Sequence, residues 1–372
     1  MTKKVLYVAS TEIHLRSFHI PYLKWFKEKG FEVHVAYKGN TIIPYSDKVL
    51  NIPFERSPFN TKNIIAYKKL KNIISINNYS LIHCHTPTAS VITRLAAKNS
   101  RKKGTKVLYT SHGFHFYKGA PIKNWLYFFP IEWGLSFFTD AIITVNNEDF
   151  NVLSLKKFPV KAKYKINSIG INTDRIKVDN NQNNQSIRNE MGYSNKDIII
   201  LYIAEFNPGK RHEFVLESLP NLIKQSSEIK ILFAGGGILL EKLKKKATEL
   251  NVNKYVNFLG FRRDIGKLIK ITDIGISTSN REGFGLGVAE ILSYNIPVVV
   301  SDIRGHNEIV KNGINGYLFD VNSHKKFIDS IVKLVRNEAL RKKMGERGRD
   351  SVKKFRIEKT IDQMKVIYAN FI

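Results

Sequence analysis

The segment from residue 273 to residue 310 constrains the fold of this chain more than any other stretch. Ile274 and Ile276 begin a short apolar segment that we expect to form a buried strand ending near Ser279. Residues 297–300, Pro-Val-Val-Val, form a nearly continuous apolar run, which is typical of strands covered on both faces in a parallel sheet. We expect a helix of about three turns between them. Strand, helix and strand in this order predict a parallel α/β sheet.

The entrance to this helix has the composition of an anion-binding turn. Glu282 is followed by Gly283, Phe284 and Gly285, and the two glycines let the backbone approach a ligand while the amides of the first turn point outward. Glu290 lies further along, about 12 Å away if the segment is mostly helical. This span fits a nucleotide sugar, with one carboxylate on the hexose, one on the ribose and the diphosphate between them. Spacing alone also allows an ordinary surface helix with two glutamates, because Gly-x-Gly entries are common in α/β proteins.

Several further stretches resemble one known family. The Glu282–Glu290 motif, with PVVVSDIRGHNE after it, is similar to the donor-site signature of family-4 retaining glycosyltransferases of the GT-B fold. The resemblance extends over nearly the whole chain and includes KVLYVASTEIHLRSFHIPYLKWFKEKGFEVHVA, SLIHCHTP, VLYTSHGFHFYKGAP, IAEFNPGKRHE and FLGFRRDI. These stretches resemble bacterial members that build capsule, exopolysaccharide or cell-wall glycans. It implies two Rossmann-like, doubly wound parallel-sheet domains that face each other across a cleft.

The activity implied by this resemblance is transfer of a hexose or N-acetylhexosamine from a nucleoside-diphosphate sugar, with UDP as the expected nucleotide, to a lipid-linked glycan precursor. The anomeric configuration is expected to be retained. The alternatives are a GT-B nucleotide-sugar epimerase or hydrolase, and a basic nucleic-acid-binding protein. Release of UDP without an acceptor product would indicate the first, and a steep salt dependence of DNA or RNA affinity would indicate the second.

The resemblance assigns roles to individual residues. His112, in Thr-Ser-His-Gly, matches the active-site histidine that lies against the donor sugar, and Glu282 is the second catalytic candidate. The remaining assignments are the diphosphate (Lys210, Arg211, Gly283, Phe284, Gly285), the ribose (Glu290) and the nucleobase (Gly260, Phe261, Arg262). A turn histidine at 112 and a solvated surface turn at 260–263 are the alternatives.

The chain departs from the family at two positions. Many members have arginine where this chain has Glu205, so we hypothesise that Arg211 supplies the second cation beside Lys210. Residues 10–14, Ser-Thr-Glu-Ile-His, replace the usual glycine-rich turn after the first strand. We expect a polar turn there, followed by one helix over residues 18–29.

We predict that transfer needs neither a metal nor a cofactor. The sequence contains no Asp-x-Asp, the carboxylate pattern with which many sugar transferases hold a diphosphate through a divalent ion. His83, His85, His112 and His115 fall near the ends of adjacent predicted strands, where a metal site could form. No carboxylate or cysteine spacing completes a familiar ligand set, so we favour histidines that line the cleft.

The length of 372 residues is comfortable for two domains. Residues 177–186, KVDNNQNNQS, are polar and poor in large apolar side chains, so we predict a linker between an acceptor-side domain, 1–176, and a donor-binding domain, 187–355. Residues 356–372 have the pattern of an amphipathic helix. In the family that the chain resembles, this helix packs back on the N-terminal domain.

The net charge of +28 indicates an anionic partner, and residues 1–175 carry +17 of it. We find no helix-turn-helix, zinc finger or RNP-like pattern, so we expect no nucleic acid partner. An anionic membrane surface is favoured, with a solvated basic surface as the alternative.

Three further features bear on localisation. The single cysteine, Cys84, excludes an intramolecular disulfide and suits a reducing cytosol. Neither a signal peptide nor an uninterrupted apolar run of eighteen residues is present, so we predict a cytoplasmic protein, peripheral on the inner face of the plasma membrane. The aromatic stretch 114–138 could contact lipid, although we favour packing into the N-terminal core.

Overall fold

The computed structural model describes residues 2–57, 60–178 and 183–372. The chain divides into two compact units, Met1–Gly170 with Glu358–Ile372, and Ile171–Ile357. This division falls six residues before the domain boundary predicted at 176. Ile171 is tied to the second unit because its N–H donates to the Phe355 carbonyl (2.8 Å) and its carbonyl accepts from the Ile357 N–H (3.0 Å).

Only part of the predicted linker, residues 177–186, lies within the described residues. Residues 179–182 lie outside the described residues, and Lys177 and Val178 have no regular secondary structure. The linker prediction was wrong for residues 184–186, because a helix begins there, Asn184–Glu190. The side chain of Asn183 accepts a hydrogen bond from the Ser186 N–H at 2.7 Å, which is the N-cap arrangement that favours a helix start.

The first unit is a parallel sheet with helices on both faces. Its seven strands have the order β3-β2-β1-β4-β5-β6-β7. The strands are β1 (Lys4–Thr11), β2 (Glu32–Lys38), β3 (Lys48–Asn51), β4 (Leu81–Cys84), β5 (Lys106–Ser111), β6 (Ala141–Thr144) and β7 (Ala162–Lys165). The helices are α1 (Glu12–Phe18), α2 (Ile20–Glu28), α3 (Lys62–Asn77), α4 (Pro87–Ala96), α5 (Lys98–Lys102), α6 (Ile122–Leu135) and α7 (Asn147–Leu155), together with the C-terminal helix described below.

The side chains of β1 alternate between the two faces of the sheet, so this one strand contributes to two hydrophobic cores. Leu6 and Val8 pack into the core on one face of the sheet, whereas Val5, Tyr7 and Ala9 pack into the core on the other. Successive side chains of a strand point to opposite faces. A strand covered on both faces therefore shows a continuous apolar run, as expected for parallel sheets.

The start of the chain differs from the prediction. The expected polar turn at residues 10–14 contains the beginning of α1, and the expected helix over 18–29 is α2, which is separated from α1 by His19. An exposed ion pair between Arg16 and Glu12 spans one turn of α1, a spacing that supports an isolated helix. This extra helix positions His14 and His19, as described below.

The C-terminal residues form one more helix, α16 (Ile357–Ala369), and the compact unit that contains β1 also contains residues 358–372. Tyr368 is buried against Tyr7, and their hydroxyl groups share a hydrogen bond. His83 bonds the Tyr368 hydroxyl through Nδ1 (2.8 Å) and the Thr110 hydroxyl through Nε2 (2.8 Å). This buried network links the last helix to β1, β4 and β5.

The second unit has the same architecture, with six parallel strands in the order β10-β9-β8-β11-β12-β13. The strands are β8 (Ile198–Ile203), β9 (Ile229–Ala234), β10 (Val256–Gly260), β11 (Ile274–Ser277), β12 (Val298–Ser301) and β13 (Gly316–Phe319). The helices are α8 (Asn184–Glu190), α9 (His212–Ile223), α10 (Leu240–Glu249), α11 (Ile265–Lys270), α12 (Leu286–Leu292), α13 (Arg304–Asn307), α14 (His324–Val335) and α15 (Glu338–Val352). Helix α12 has 7 residues, about two turns instead of the predicted three.

The aromatic stretch 114–138 is divided between core and surface. Phe114 and Phe116 are buried, and Trp125, Phe128 and Phe129 pack partly against the same core. The opposite face of α6 and the residues after it expose large apolar side chains: Ile122, Leu126, Tyr127, Ile131, Trp133 and Phe137. The expected packing into the N-terminal core is thus found on only one side of this stretch. Within the part of the chain that the structure describes, no helix is both long enough and apolar enough to span a membrane.

Candidate active site

The loop that carries Lys210 is held rigidly in the second unit. After β8, residues 208–210 form a single 3-10 turn whose N-cap is Asn207; its side chain accepts from the Lys210 N–H at 3.2 Å. The Lys210 carbonyl accepts hydrogen bonds from the Tyr202 hydroxyl (2.6 Å) and the Thr278 hydroxyl (3.0 Å). The backbone at Lys210 is therefore fixed by side chains from two neighbouring strand ends.

Lys210 and Glu282 form a direct ion pair. The Ser279 hydroxyl also donates to Glu282 Oε1 at 2.7 Å. The two residues meet because β8 and β11 are adjacent parallel strands, so the loops at their carboxyl ends share one edge of the sheet, where α/β proteins bind ligands. Burial alone would raise the pKa of Glu282, but the Lys210 ammonium, together with His306 and Ser279, outweighs burial and holds this pKa below its ordinary value.

The glycine turn before α12 is closely packed. Gly285 has a φ of 94° and is the N-cap of the helix; a Cβ there would lie 3.1 Å from His306 Cδ2. A Cβ at Gly305 would come within 2.7 Å of the Glu282 Cβ. The Phe284 ring is buried and packs edge-on against Phe355, 5.0 Å between ring centroids. The turn thus combines a left-handed glycine with an aromatic anchor, which fixes the direction of the first α12 amides.

The predicted ribose ligand, Glu290, lies within α12 and is 1% exposed. The segment from 282 to 290 is a loop up to Gly285 and a helix from Leu286, so the assumption of a mostly helical span was wrong for its first half. The ribose role of Glu290 stays a prediction.

Arg211 adopts a left-handed backbone, with a φ of 53°. Its guanidinium donates to the Val321 carbonyl and lies over the Phe214 ring, 4.8 Å from the centroid. Glu205, where many family members have arginine, accepts from the Asn207 amide at 3.2 Å. The hypothesis that Arg211 supplies the second diphosphate cation stays a prediction.

His306 belongs to this cluster but was not assigned a role from the sequence. It is fully buried, and its Nδ1 lies 2.8 Å from the Ser301 carbonyl. Its Nε2 has no hydrogen-bond partner among the residues that the structure describes. The available signal was its position within PVVVSDIRGHNE, a few residues after the predicted strand 297–300.

The predicted nucleobase loop follows β10. Gly260 has a φ of 66°, and its carbonyl accepts from the Gly235 N–H at 2.9 Å. Phe261 is 76% exposed, whereas Arg262 is paired with Asp264, Nε to Oδ1 at 2.8 Å. An exposed aromatic ring beside two glycine-containing turns can stack on a base, and the arginine is held by its own loop.

His112 lies in the first unit, directly after β5. Its Nε2 is 3.3 Å from His85 Nδ1, and burial lowers its pKa to about 4. The predicted set of four histidines is only partly correct. His85 and His112 are close together, but His83 is bonded to Tyr368 and Thr110, and the His115 ring packs on Phe128, 4.6 Å between centroids. Instead of these two residues, His14 and His19 lie beside His85 and His112. One ligand atom from each of these four histidines lies within 4.8 Å of the others.

Comparison with known proteins identifies the family. The model for "Glycosyl transferase 4-like" matches residues 4–146, and the model for "Glycosyl transferases group 1" matches residues 183–351. EpsD of Bacillus subtilis (strain 168), named as a candidate glycosyltransferase, is 39% identical over 372 residues, covering 100% of this chain and 98% of EpsD. The chain belongs to the family-4 glycosyltransferases. The resemblance found in the sequence is thereby confirmed.

Two further comparisons are informative. The UDP-Gal:alpha-D-GlcNAc-diphosphoundecaprenol alpha-1,3-galactosyltransferase of Escherichia coli is 25% identical over 326 residues, which cover 84% of this chain and 82% of that enzyme. The crystal structure of Anabaena HepE in complex with UDP and glucose matches with a TM-score of 0.81 and 17% identity, covering 99% of this chain and 100% of HepE. The latter supports the GT-B fold, in agreement with the two parallel-sheet units. This family-4 member is thus a glycosyltransferase.

Proposed function

We propose that this glycosyltransferase moves a hexose or N-acetylhexosamine from a UDP-sugar to a lipid-linked glycan precursor in the synthesis of a capsule, exopolysaccharide or cell-wall glycan. The observation that carries the proposal is the Lys210–Glu282 pair at the carboxyl ends of adjacent strands, next to the first turn of α12. A cation, a carboxylate and the backbone amides of a helix start are the groups that a sugar diphosphate needs.

The proposed reaction retains the anomeric configuration. The bond between the sugar C1 and the diphosphate oxygen breaks, and an acceptor hydroxyl forms its bond to C1 on the same face. The hydroxyl proton passes to the departing diphosphate. In this scheme Lys210 and the amides at 283–285 stabilise the growing negative charge, Glu282 holds the sugar hydroxyls, and Glu290 holds the ribose. His112 takes the role at the donor sugar that the family resemblance assigns to it.

The choice of UDP and of a lipid-linked acceptor is supported by relatives. The name of the Escherichia coli enzyme specifies UDP-Gal and a diphosphoundecaprenol-linked acceptor, and HepE was crystallised with UDP and glucose. Phe261 adds support from this chain, because an exposed ring beside Gly235 and Gly260 suits a planar base.

The test is a donor and acceptor assay in the presence of EDTA. Purified protein is screened by thermal shift against UDP-, GDP- and ADP-sugars, and stabilising donors are then incubated with undecaprenyl-diphosphate-linked sugars or with soluble sugar acceptors. We expect a UDP-sugar to stabilise the protein, and glycolipid product to form at an undiminished rate when EDTA is present, since Lys210 and the amides at 283–285 replace a metal. Activity lost in EDTA and restored by Mg²⁺ or Mn²⁺ would contradict metal independence. UDP release with no glycosylated product would indicate hydrolysis instead.

A peripheral membrane location is the second part of the proposal. Leu126 and Tyr127 on α6 are 66% and 67% exposed. Helix α5 supplies nearby basic groups, because the Lys98 ammonium lies 5.0 Å from the centroid of the Phe138 ring and Arg101 donates to the Phe137 carbonyl. Apolar side chains flanked by basic ones suit an anionic membrane surface.

This location predicts a specific effect of surface mutations. In sedimentation with vesicles of anionic phospholipid, the double variant Leu126→Ser/Tyr127→Ser is expected to lose most of the binding shown by the unmodified chain. Leu155→Ser, which removes a side chain that is 79% exposed in the same unit, is the matched control and should bind normally. Normal binding by Leu126→Ser/Tyr127→Ser would exclude α6 from the membrane-contacting surface.

A further inference from the structure

The carboxyl ends of three adjacent strands in the first unit bring four histidines together. In the sheet order β1, β4 and β5 are neighbours. His14 and His19 belong to the helical segment after β1, His85 follows β4, and His112 follows β5. Parallel strands end at one edge of the sheet, so residues that are distant in sequence meet there.

The rings of the four histidines lie close to one another. The centroids of His19 and His85 are 3.9 Å apart, and those of His14 and His112 are 4.7 Å apart. Among the described residues, both ring nitrogens of His19, His14 Nε2 and His85 Nε2 are buried with no hydrogen-bond partner. Each such buried polar atom costs about 1–3 kcal/mol when it is left unsatisfied.

A small cavity adjoins the cluster. It is lined by His19, His83, His85 and His112, with aromatic and aliphatic side chains around them, and offers about 20 Å³ to the centre of a water-sized sphere. A volume of about 10–15 Å³ on this measure holds one water molecule. The space therefore has room for one small occupant beside His19, His85 and His112.

We propose that His14, His19, His85 and His112 form a binding site for a divalent transition-metal ion, with Zn²⁺ as the natural occupant. One ligand atom from each lies within 4.8 Å of the others. Four nitrogens around Zn²⁺ at about 2.0–2.1 Å would be separated by roughly 3.3 Å. The side chains thus have to close by up to about 1.5 Å for the four nitrogens to bind one ion.

The chemistry of the ligands selects the kind of metal. Imidazole nitrogens suit Zn²⁺, Cu²⁺, Ni²⁺ and Co²⁺, whereas Mg²⁺ and Ca²⁺ require oxygen ligands. All four candidate ligands in this cluster are histidines, and none of them is a carboxylate. This site is thus unrelated to a metal that would hold the donor diphosphate.

An occupied site should suppress glycosyl transfer, and this consequence rests on the proposed function. The metal would engage a ring nitrogen of His112, the residue that the family resemblance assigns to the donor sugar. We expect Zn²⁺ to act as a reversible inhibitor whose effect EDTA removes. Metal-independent transfer and inhibition by Zn²⁺ are compatible, because the ion is not part of the reaction.

The experiment measures binding separately from activity. The full chain, stripped of metal, is titrated with Co²⁺, whose four-coordinate complexes absorb strongly in the visible range, and Zn²⁺ is then added to displace it. We expect one ion per chain and an increase in Tm with Zn²⁺. His14→Gln, a change in a half-buried residue on a short helix, and His85→Gln should lose both effects.

The control is His83→Gln, because His83 lies beside the cluster but has both ring nitrogens bonded to other groups. It should retain the Co²⁺ spectrum, and circular dichroism checks that each variant is folded. Absence of a Co²⁺ spectrum and of a Zn²⁺-dependent Tm change in the unmodified chain would overturn the site, as would full binding by folded His14→Gln and His85→Gln.

Activity assays distinguish this proposal from the proposed function. Glycosyl transfer by the unmodified chain should fall with Zn²⁺ and recover with EDTA, whereas His14→Gln should resist Zn²⁺; equal inhibition of both would overturn inhibition through this site. Ion binding that depends on His14 and His85, without transfer from any donor, would refute the proposed function and leave the metal site intact.

Discussion

Replacement of Lys210 with alanine is expected to lower kcat/KM for glycosyl transfer by about 10²–10³-fold, the loss typical of removing one group that stabilises charge in the transition state. The Lys210 ammonium contacts Glu282, and its backbone is fixed by Tyr202 and Thr278. It is thus a preorganised cation beside the turn proposed to hold the diphosphate. Steady-state kinetics with the donor found in the thermal-shift screen measures the effect.

Two further variants test whether the loss of activity comes from the missing charge at residue 210 or from a change in structure. Lys246→Ala is the matched control, because Lys246 is also an ion-paired lysine of the second unit, bound to Glu213 and Glu217, but lies on α10. It should leave kcat/KM nearly unchanged. Lys210→Arg keeps the charge and should retain more activity than Lys210→Ala. If Lys210→Ala folds and reacts at the normal rate, Lys210 does not act in the reaction.

The central strands are predicted from the sequence, and of the four edge strands only β10 is, as residues 256–259. The apolar runs at residues 198–203 and 229–234 each predict a buried strand, and β8 and β9 have these bounds. β3, β7 and β13 were missed, and all three lie at sheet edges. β7, Ala-Lys-Tyr-Lys, has four partly buried residues, so the burial that would leave an apolar signature in the sequence is absent there.

The residues of the candidate site were also predicted only in part. Lys210 and Glu282 were found because their motifs resemble those of the family, and their contact follows from adjacent strands. His14 was missed because Ser-Thr-Glu-Ile-His is typical of a polar turn, whereas the chain forms a short helix there, and His19 lay within the helix expected over residues 18–29. Local pattern does not reveal which strands are neighbours, and the histidine cluster exists only through the order β1-β4-β5. His306 likewise becomes visible only when α13 packs beside Gly285.

The largest effect on stability is expected from Glu132→Ala, which should reduce the free energy of unfolding of the first unit by about 3–5 kcal/mol. Glu132 lies on the buried side of α6, and its Oε2 is 2.8 Å from Arg94 Nη2. Arg94 is fully buried, and its guanidinium lies over the Tyr109 ring, 4.2 Å from the centroid. Removal of the carboxylate would leave a buried cation without its anion. Urea denaturation followed by circular dichroism measures the loss.

Two further variants test whether the burial of the Arg94–Glu132 pair causes the loss of stability. One breaks an exposed ion pair, and the other replaces both buried charges. Glu28→Ala breaks the exposed pair with Lys24, 3.9 Å apart, and should change stability by less than about 0.5 kcal/mol. Arg94→Leu/Glu132→Leu replaces both charges with apolar groups and should recover much of the stability, because the cost of the single variant comes from the charge left behind and not from the loss of an attraction. If the double variant is as unstable as Glu132→Ala, the pair contributes through packing instead. The buried side of α6 would then depend on side-chain shape.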